Sequence, residues 1–110
     1  MAGWFELSKS TSGQFRFVLK ASNAKTILTS QMYKSAAAAK NGIASVQSHC
    51  AKAANFEKKV AGNGQPYFTL NASNKQVIGN SQMYASTTAR DAGIESVRTN
   101  GRSATIKDLT

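Results

Sequence analysis

The stretch "SQMYKSAAAAKNGIASV", residues 30–46, decides the fold because it returns as "SQMYASTTARDAGIESV" at residues 81–97. Shifting the chain against itself by 51 positions (81 − 30) aligns its two halves without a gap. A self-similarity of this length indicates a duplicated structural unit. We therefore predict a single domain, 1–110, made of two repeats at about 4–51 and 55–110, because a half of about 50 residues would bury too little surface to be stable alone.

Each repeat begins with three predicted strands. In "QFRFVLKA", residues 14–21, and its counterpart "QPYFTLNA", residues 65–72, apolar side chains alternate with polar ones, which is typical of a strand with one buried face. Shorter strand-like runs lie on either side, "WFELSK" and "KTILT" in the first repeat and "NFEKKV" and "KQVIG" in the second. The turns after the central strands contain Asn23 and Asn74, which we expect to take the left-handed backbone conformation.

The hydrophobic period changes after the repeated tyrosine, and a helix is predicted from there. Ser35 and Ser86 are suited to cap the two helices, because a serine oxygen can accept a hydrogen bond from a free amide of the first turn. Gly42 and Gly93 lie inside the helices, where glycine costs about 1 kcal/mol relative to alanine, so we expect close packing of helix on sheet. With a last strand in "ATIKDL", the predicted fold is α+β: two tandem β-β-β-α(-β) repeats that share one antiparallel sheet, with both helices on one face.

The pattern "GQFRFVLKASNAKTILTSQMYKSAAAAKNGIASV", with its second copy, resembles the YegP-like family of small bacterial proteins. The resemblance covers nearly the whole chain and implies two units joined into one sheet with exchanged C-terminal strands. Under it, "ANFEKK", residues 54–59, would end the first unit and begin the second. The family has no agreed activity or catalytic residues, so the resemblance implies none here. The second copy departs from the first at Lys58 and Pro66, where the first has Leu7 and Phe15.

The basic charge is the feature of the composition that leans towards a function. The chain has 14 Lys and Arg against 5 Asp and Glu, a net charge of +9, and such a charge attracts nucleic acids and other anions. The cations are scattered, with six in residues 1–51 and eight in residues 52–110. We interpret the protein first as a non-catalytic binding or structural module with a protein partner. The alternative is a weak, sequence-independent nucleic-acid binder, with Arg16 and Lys20 as anion contacts and Trp4, Tyr67 or the loop tyrosines stacking on bases.

The repeated tetrapeptide itself allows two interpretations. Met and Tyr at a junction between a strand and a helix mostly serve packing, which favours a structural role. Loops on a rigid scaffold also carry binding residues, and two symmetry-related loops would form a pair of recognition sites. The candidate recognition residues are Ser30, Gln31, Tyr33, Ser81, Gln82 and Tyr84.

Catalytic and metal chemistry have little support in the sequence. Cys50 is the only cysteine and His49 the only histidine, which falls short of the three or four ligands of a zinc site. Glu6 and Glu57 recur at the same place in the two repeats, and they would be an acid–base pair if a two-fold axis brought them together. We expect no enzyme activity and no cofactor, a monomer with pseudo-two-fold symmetry, and a cytoplasmic protein without a secretion signal or a membrane partner.

Overall fold

The computed structural model of the protein describes residues 3–110. Its helices and strands follow the duplicated order that the sequence predicts. The first repeat contains β1 (Trp4–Lys9), β2 (Phe15–Lys20), β3 (Thr26–Ser30) and α1 (Ala36–His49). A 3₁₀ turn, Ala53–Asn55, leads into the second repeat, which contains β4 (Phe56–Val60), β5 (Pro66–Asn71), β6 (Val77–Asn80), α2 (Thr87–Asn100) and β7 (Ile106–Asp108). Neither helix reaches the length and apolarity that crossing a bilayer requires.

All seven strands form one sheet in the order β4-β5-β6-β3-β2-β1-β7. The prediction of one shared sheet is confirmed, but the sheet is mixed rather than wholly antiparallel, because β7 runs parallel to β1. The other neighbours are antiparallel. Tight turns force antiparallel neighbours within each meander, whereas a strand that returns after a helix can take either direction.

The two repeats meet in the middle of the sheet, where β3 pairs with β6 through Thr29 with Asn80 and Ser30 with Gly79. The predicted exchange of C-terminal strands is confirmed. The strand that follows α1, β4, pairs with β5 of the second repeat, and the strand that follows α2, β7, pairs with β1 of the first. The exchange leaves one difference between the two ends of the sheet. The outer side of β1 is covered by β7, whereas β4 is a terminal strand of the sheet within residues 3–110.

The core lies between the sheet and the two helices. The predicted alternation is confirmed in β1, β2 and β5, where residues two positions apart are buried towards the helices, whereas in β4 only Phe56 is buried. The fully buried side chains of this face are Phe5, Leu7, Phe17, Leu19, Leu28, Phe68 and Leu70, and the helices contribute Ile43, Val46, Ile94 and Val97. Lys58 replaces Leu7 in the second repeat and is exposed, so the core is thinner under β4.

Both helices begin where the sequence predicts. The Oγ atoms of Ser35 and Ser86 each accept a hydrogen bond from the amide three residues later, at 3.1 Å in both helices. Gly42 and Gly93 are buried and face the sheet, which confirms the packing role predicted for them. A methyl group on Gly42 would meet the ring of Tyr33, and one on Gly93 would meet the ring of Tyr84.

Candidate functional site

The serines of the repeated tetrapeptide join the central strands to the loops. Ser30 Oγ accepts a hydrogen bond from the Phe17 amide at 2.9 Å and donates one to the Gln31 carbonyl at 2.7 Å. Ser81 repeats both contacts in the second half of the chain, at 3.0 and 2.8 Å. Both serines are buried, so each hydroxyl is fully used by the backbone around it.

The tyrosines of the tetrapeptide hold the helices on the sheet. The Tyr33 ring stacks on Phe17 with a centroid distance of 6.2 Å and an interplanar angle of 13°, and Tyr84 stacks on Phe68 at 6.2 Å and 12°. Burial raises the pKa of both phenols above the ordinary value. Because the rings lie between the sheet and the helical glycines, they contribute to packing and do not present a free face to a base.

Two of the six candidate recognition residues remain available to a ligand from solvent, namely Gln31 and Gln82. Each is followed by a half-exposed methionine, Met32 or Met83, with 43% and 47% of its surface accessible. The loops do not form one site. Since β3 and β6 are antiparallel neighbours, the chain leaves these two strands in opposite directions, and the two loops lie beyond opposite ends of the strand pair.

The face of the sheet that the helices leave uncovered is mostly polar, and we call it the open face. One row of paired residues crosses all seven strands on this face: Lys107, Glu6, Val18, Thr29, Asn80, Thr69 and Glu57. Residues two positions away along the strands share the same face. They add Trp4, Arg16, Lys20, Lys59 and Tyr67.

The structure places both predicted anion contacts, Arg16 and Lys20, on the open face of β2. Two further cations on this face, Lys59 and Lys107, were not predicted from the sequence. Lys59 pairs with Tyr67 and Lys107 pairs with Glu6, so each cation shares the open face with a residue that strand alternation had already placed there. The open face therefore carries four cations against the two carboxylates of Glu6 and Glu57.

Trp4 is already engaged by its own neighbours. The Lys107 ammonium lies 4.4 Å from the centroid of the Trp4 ring, and the indole Nε1 donates a hydrogen bond to Glu6 at 2.8 Å. A cation over one ring face competes with a stacking base for the same surface. Of the aromatic residues predicted to stack on bases, Tyr67 lies half-buried on the open face without such a cover.

Glu6 and Glu57 are not brought together, so the two-fold relation does not create the paired carboxylate site that was considered as an alternative. Glu57 on β4 ends the row that crosses the open face, and Glu6 on β1 lies next to Lys107 at the other end. Five strand spacings separate them, which amounts to about 24 Å at the usual spacing between neighbouring strands. The pseudo-two-fold axis that relates the repeats places equivalent residues far apart unless they lie close to that axis.

Cys50 and His49 end α1 and are used in packing and capping. The Cys50 side chain is fully buried, and burial raises the pKa of its thiol more than nearby Arg102 and Arg98 lower it. His49 Nδ1 lies 2.7 Å from the Ser45 carbonyl oxygen within the helix. Among residues 3–110, no group of three or more His, Cys, Asp or Glu side chains is close enough to hold a metal ion.

Comparison with known families finds two consecutive matches to the "Domain of unknown function (DUF1508)", at residues 10–57 and 61–108. Each match runs from the end of a first strand, through the second and third strands and the helix, into the strand beyond. The first match ends inside β4, within the "ANFEKK" segment, which agrees with the role of that segment as the last strand of one unit and the first strand of the next.

Close relatives share the whole length of the chain. The UPF0339 protein YegP of Escherichia coli strain K12 is 58% identical over 110 residues, with 100% of both chains covered. A UPF0339 protein of Acinetobacter baylyi is 58% identical and covers 100% of this chain and 99% of its own. The solution structure of E. coli yegP, described as a protein of unknown function, superimposes with a TM-score of 0.95 at 58% identity, covering 100% of this chain and 95% of that one. A UPF0339 structure from Shewanella oneidensis gives 0.94 at 57%, covering 100% and 93%.

Proposed function

Because the chain belongs to the DUF1508 family, whose relatives named above are described as proteins of unknown function, we propose a function from its own geometry: a non-catalytic binding module that contacts a protein partner through the open face of its sheet. The observation that carries this proposal is the difference in side chains between the two faces of the sheet. One face and both helices are used to form the core, and the other is lined by polar and charged side chains across seven strands.

The charge on the open face supports an acidic partner. Arg16 and Lys20 on β2, Lys59 on β4 and Lys107 on β7 provide four cations that are spread over three strands. Spread cations suit an acidic protein surface, because long-range attraction guides two such surfaces together without any single dominant contact. The threonine and asparagine side chains in the middle of the row add hydrogen-bonding groups between the cations. The separation of Glu6 from Glu57 supports a module without acid–base chemistry.

A pull-down from native lysate, with and without nuclease, tests the proposal. The double variant Arg16→Glu/Lys20→Glu reverses two charges on the open face. Its matched control, Lys34→Glu/Lys52→Glu, makes the same change of net charge at exposed loop positions outside that face. We expect a partner that survives nuclease, is lost with the open-face variant and is kept by the control. Equal loss with both variants would show that net charge alone attracts the partner, and would refute the open face as the site.

The alternative function, a weak and sequence-independent nucleic-acid binder, is favoured by Tyr67 and the cations lying on the same face. Binding would then fall steeply with salt, with a slope of about −0.7 per phosphate contacted in a single strand. Partners that disappear with nuclease, together with such a slope measured on a single-stranded oligonucleotide, would replace the protein partner by nucleic acid. We place either activity in the cytoplasm, because a chain with a lone cysteine suits a reducing compartment.

A further inference from the structure

The outer edges of β1 and β4 occupy equivalent positions in the two repeats but differ in what covers them. Among residues 3–110, β7 covers the outer edge of β1, whereas no strand covers the outer edge of β4. On the equivalent edge of β1, the Phe5 amide donates a hydrogen bond to the Thr105 carbonyl at 2.9 Å, and the Leu109 amide donates one to the Leu7 carbonyl at 2.8 Å. These contacts hold β7 parallel to β1. The same edge of β4, 51 residues later, carries no strand within the described chain.

The backbone of β4 can receive a strand in the same way. The pairing of β4 with β5 repeats that of β1 with β2, with Phe56 opposite Leu70 as Phe5 is opposite Leu19. The amide and carbonyl of Lys58 therefore point outwards, as those of Leu7 do. The Phe56 amide is held by Ala53 in the 3₁₀ turn, so an added strand would pair from the Phe56 carbonyl onwards. Outward backbone groups on an edge strand are a template for pairing with another chain.

A cavity of about 250 Å³ lies beside this edge on the helix side of the sheet. It is lined by Ala53, Phe56, Lys58, Asp91, Ile94 and Glu95. In the first repeat, β7 places Ile106 opposite Phe5, the counterpart of Phe56. An apolar side chain from an added strand would therefore enter this cavity in the second repeat. It would contact Ala53, Phe56 and Ile94, beside the ion pair of Lys58 with Asp91 at 3.4 Å.

The charges along β4 define which residues such a strand would carry. Its position opposite Phe56 faces the cavity and is apolar. Its next position faces Glu57 and is basic, and the one after faces Lys58 and is acidic. Glu57 is 3.4 Å from Lys59 and Lys58 is 3.4 Å from Asp91, but both ion pairs are exposed to solvent, so the added strand can compete for them. Opposite charges directly across two strands stabilise the pair and like charges destabilise it. The segment Ile106–Asp108 of this chain, which occupies the equivalent edge, has this order of residue types.

We propose that the outer edge of β4 binds an extended segment of another protein, which runs parallel to β4 and carries an apolar, a basic and an acidic residue in succession. This edge adjoins the open face, on which Glu57 lies, but it does not involve Arg16 and Lys20, the residues that test the function proposed for that face. A second copy of the chain is not the occupant, because its own segment is held on β1, where Lys107 faces Glu6 and covers Trp4. If two copies exchanged their β7 strands, each strand that covered a β4 edge would leave a β1 edge exposed, so the number of paired strands would not increase.

The test is an NMR titration of the isotope-labelled full chain with a synthetic peptide of residues 104–110, "ATIKDLT". This sequence is used as the probe because it already docks in this geometry on β1. We expect shifts confined to residues 56–60 and to Ile94 at the cavity. A second peptide with its Lys and Asp exchanged should bind about three- to tenfold more weakly, since two cross-strand ion pairs become repulsive.

Two variants separate strand pairing from charge. Lys58→Pro removes the outward amide and should abolish binding of the peptide, while Lys58→Ala keeps the amide and should weaken binding only in part. Arg16→Glu/Lys20→Glu should leave peptide binding unchanged, which separates this edge from the function proposed for the open face. Three outcomes would overturn the proposal: shifts at β1 in place of β4, equal affinity for both peptides, or self-association of the free chain through residues 56–60.

Discussion

Replacement of Gly42 by alanine should destabilise the protein, although alanine is the better helix former. A methyl group on Gly42 would lie 2.8 Å from Tyr33 Cζ and 2.9 Å from Phe17 Cε2, both too close for carbon atoms that are not bonded. Neither ring can move freely. Tyr33 stacks on Phe17, and Phe17 is fully buried with its ring edge-to-face against Phe5 at 5.9 Å. The extra carbon must therefore displace the helix or the tyrosine.

The magnitude follows from two opposing effects. Overpacking of a closely packed contact costs about 1–3 kcal/mol. The change from glycine to alanine inside a helix stabilises the folded protein by about 1 kcal/mol through helix propensity. We expect Gly42→Ala and Gly93→Ala each to lower the free energy of unfolding by about 1 kcal/mol. The methyl group on Gly93 would lie 2.7 Å from Tyr84 Cζ and 3.2 Å from Phe68 Cε2, so the two sites are similarly crowded.

Urea unfolding followed by the fluorescence of Trp4 measures this change. Asn41→Ala is the matched control, since Asn41 is the exposed neighbour in α1 and its replacement should raise stability by a few tenths of a kcal/mol at about the helix-propensity difference. In a Tyr33→Ala background, Gly42→Ala should lose most of its cost, because one of its two close contacts is gone. If Gly42→Ala stabilised the wild-type chain as much as Asn41→Ala does, the account of the tyrosine as a wedge between helix and sheet would be refuted.

Three further predictions follow from the same contacts. Ser30→Ala and Ser81→Ala should each lower the free energy of unfolding by about 1–3 kcal/mol, since each leaves a strand amide without its acceptor, whereas the exposed Ser48→Ala should change it little. Because burial raises the pKa of Tyr33 and Tyr84 above 10.0, stability should be complete below that pH and fall as the pH rises through it, and a Tyr33→Phe/Tyr84→Phe variant should show a smaller alkaline loss. The fully buried Cys50 should not react with an aromatic disulfide reagent until urea unfolds the chain; rapid reaction of the native protein would show that the ends of the two helices open easily.

Most of the fold could be predicted because it depends on local patterns that occur twice. The alternation in β2 and β5, the serine caps and the helical glycines each have a physical meaning within a few residues of sequence. The direction of β7 could not be predicted in the same way. It depends on where the chain returns after α2, and a three-residue strand has too short a pattern to show which neighbour it will join.

Turn chemistry shows the same limit at the level of single residues. Asn23 and Asn74 were expected to take the left-handed conformation, but the residues that follow them do so, Ala24 with φ 69° and Lys75 with φ 68°. The asparagine side chains instead accept hydrogen bonds from the backbone two residues on, at 3.1 and 3.0 Å. An asparagine can serve a turn either through its backbone or through its side chain, and the sequence does not distinguish the two.

The candidate site was only partly visible because its residues come from strands that are distant in sequence. Arg16 and Lys20 lie on the open face as predicted, and alternation within one strand was enough to place them. The distance between Glu6 and Glu57 needed the strand order, since the same two-fold relation would have joined them in a sheet that met at β1 and β4. Residues near the pseudo-two-fold axis, such as Thr29 and Asn80, are neighbours across β3 and β6, whereas residues on the outer strands lie far from their counterparts.

At two of the positions where the repeats differ, geometry prevents both copies from being the same. Cys50 and Gly101 are equivalent by the 51-residue shift, and they touch, because a methyl group on Gly101 would lie 2.9 Å from Cys50 Sγ. There is room for one side chain, so one copy has a cysteine and the other a glycine. Leu7 and Lys58 differ for a related reason. A tandem chain has a single free C-terminal strand, and β7 can cover one outer edge only, which buries Leu7 and leaves its counterpart exposed.

Lysine at the uncovered edge has two consequences that point in the same direction. A charged residue on an edge strand opposes unselective pairing with other sheets. It also makes the edge selective, because a strand that brings an acidic residue opposite Lys58 and a basic one opposite Glu57 gains from the charges that repel others. Had the second repeat kept a leucine at this position, the edge would accept apolar strands indiscriminately and the chain would be prone to aggregate. The difference between Leu7 and Lys58 thus separates a structural edge, closed by the chain itself, from an edge that is open to a chosen partner.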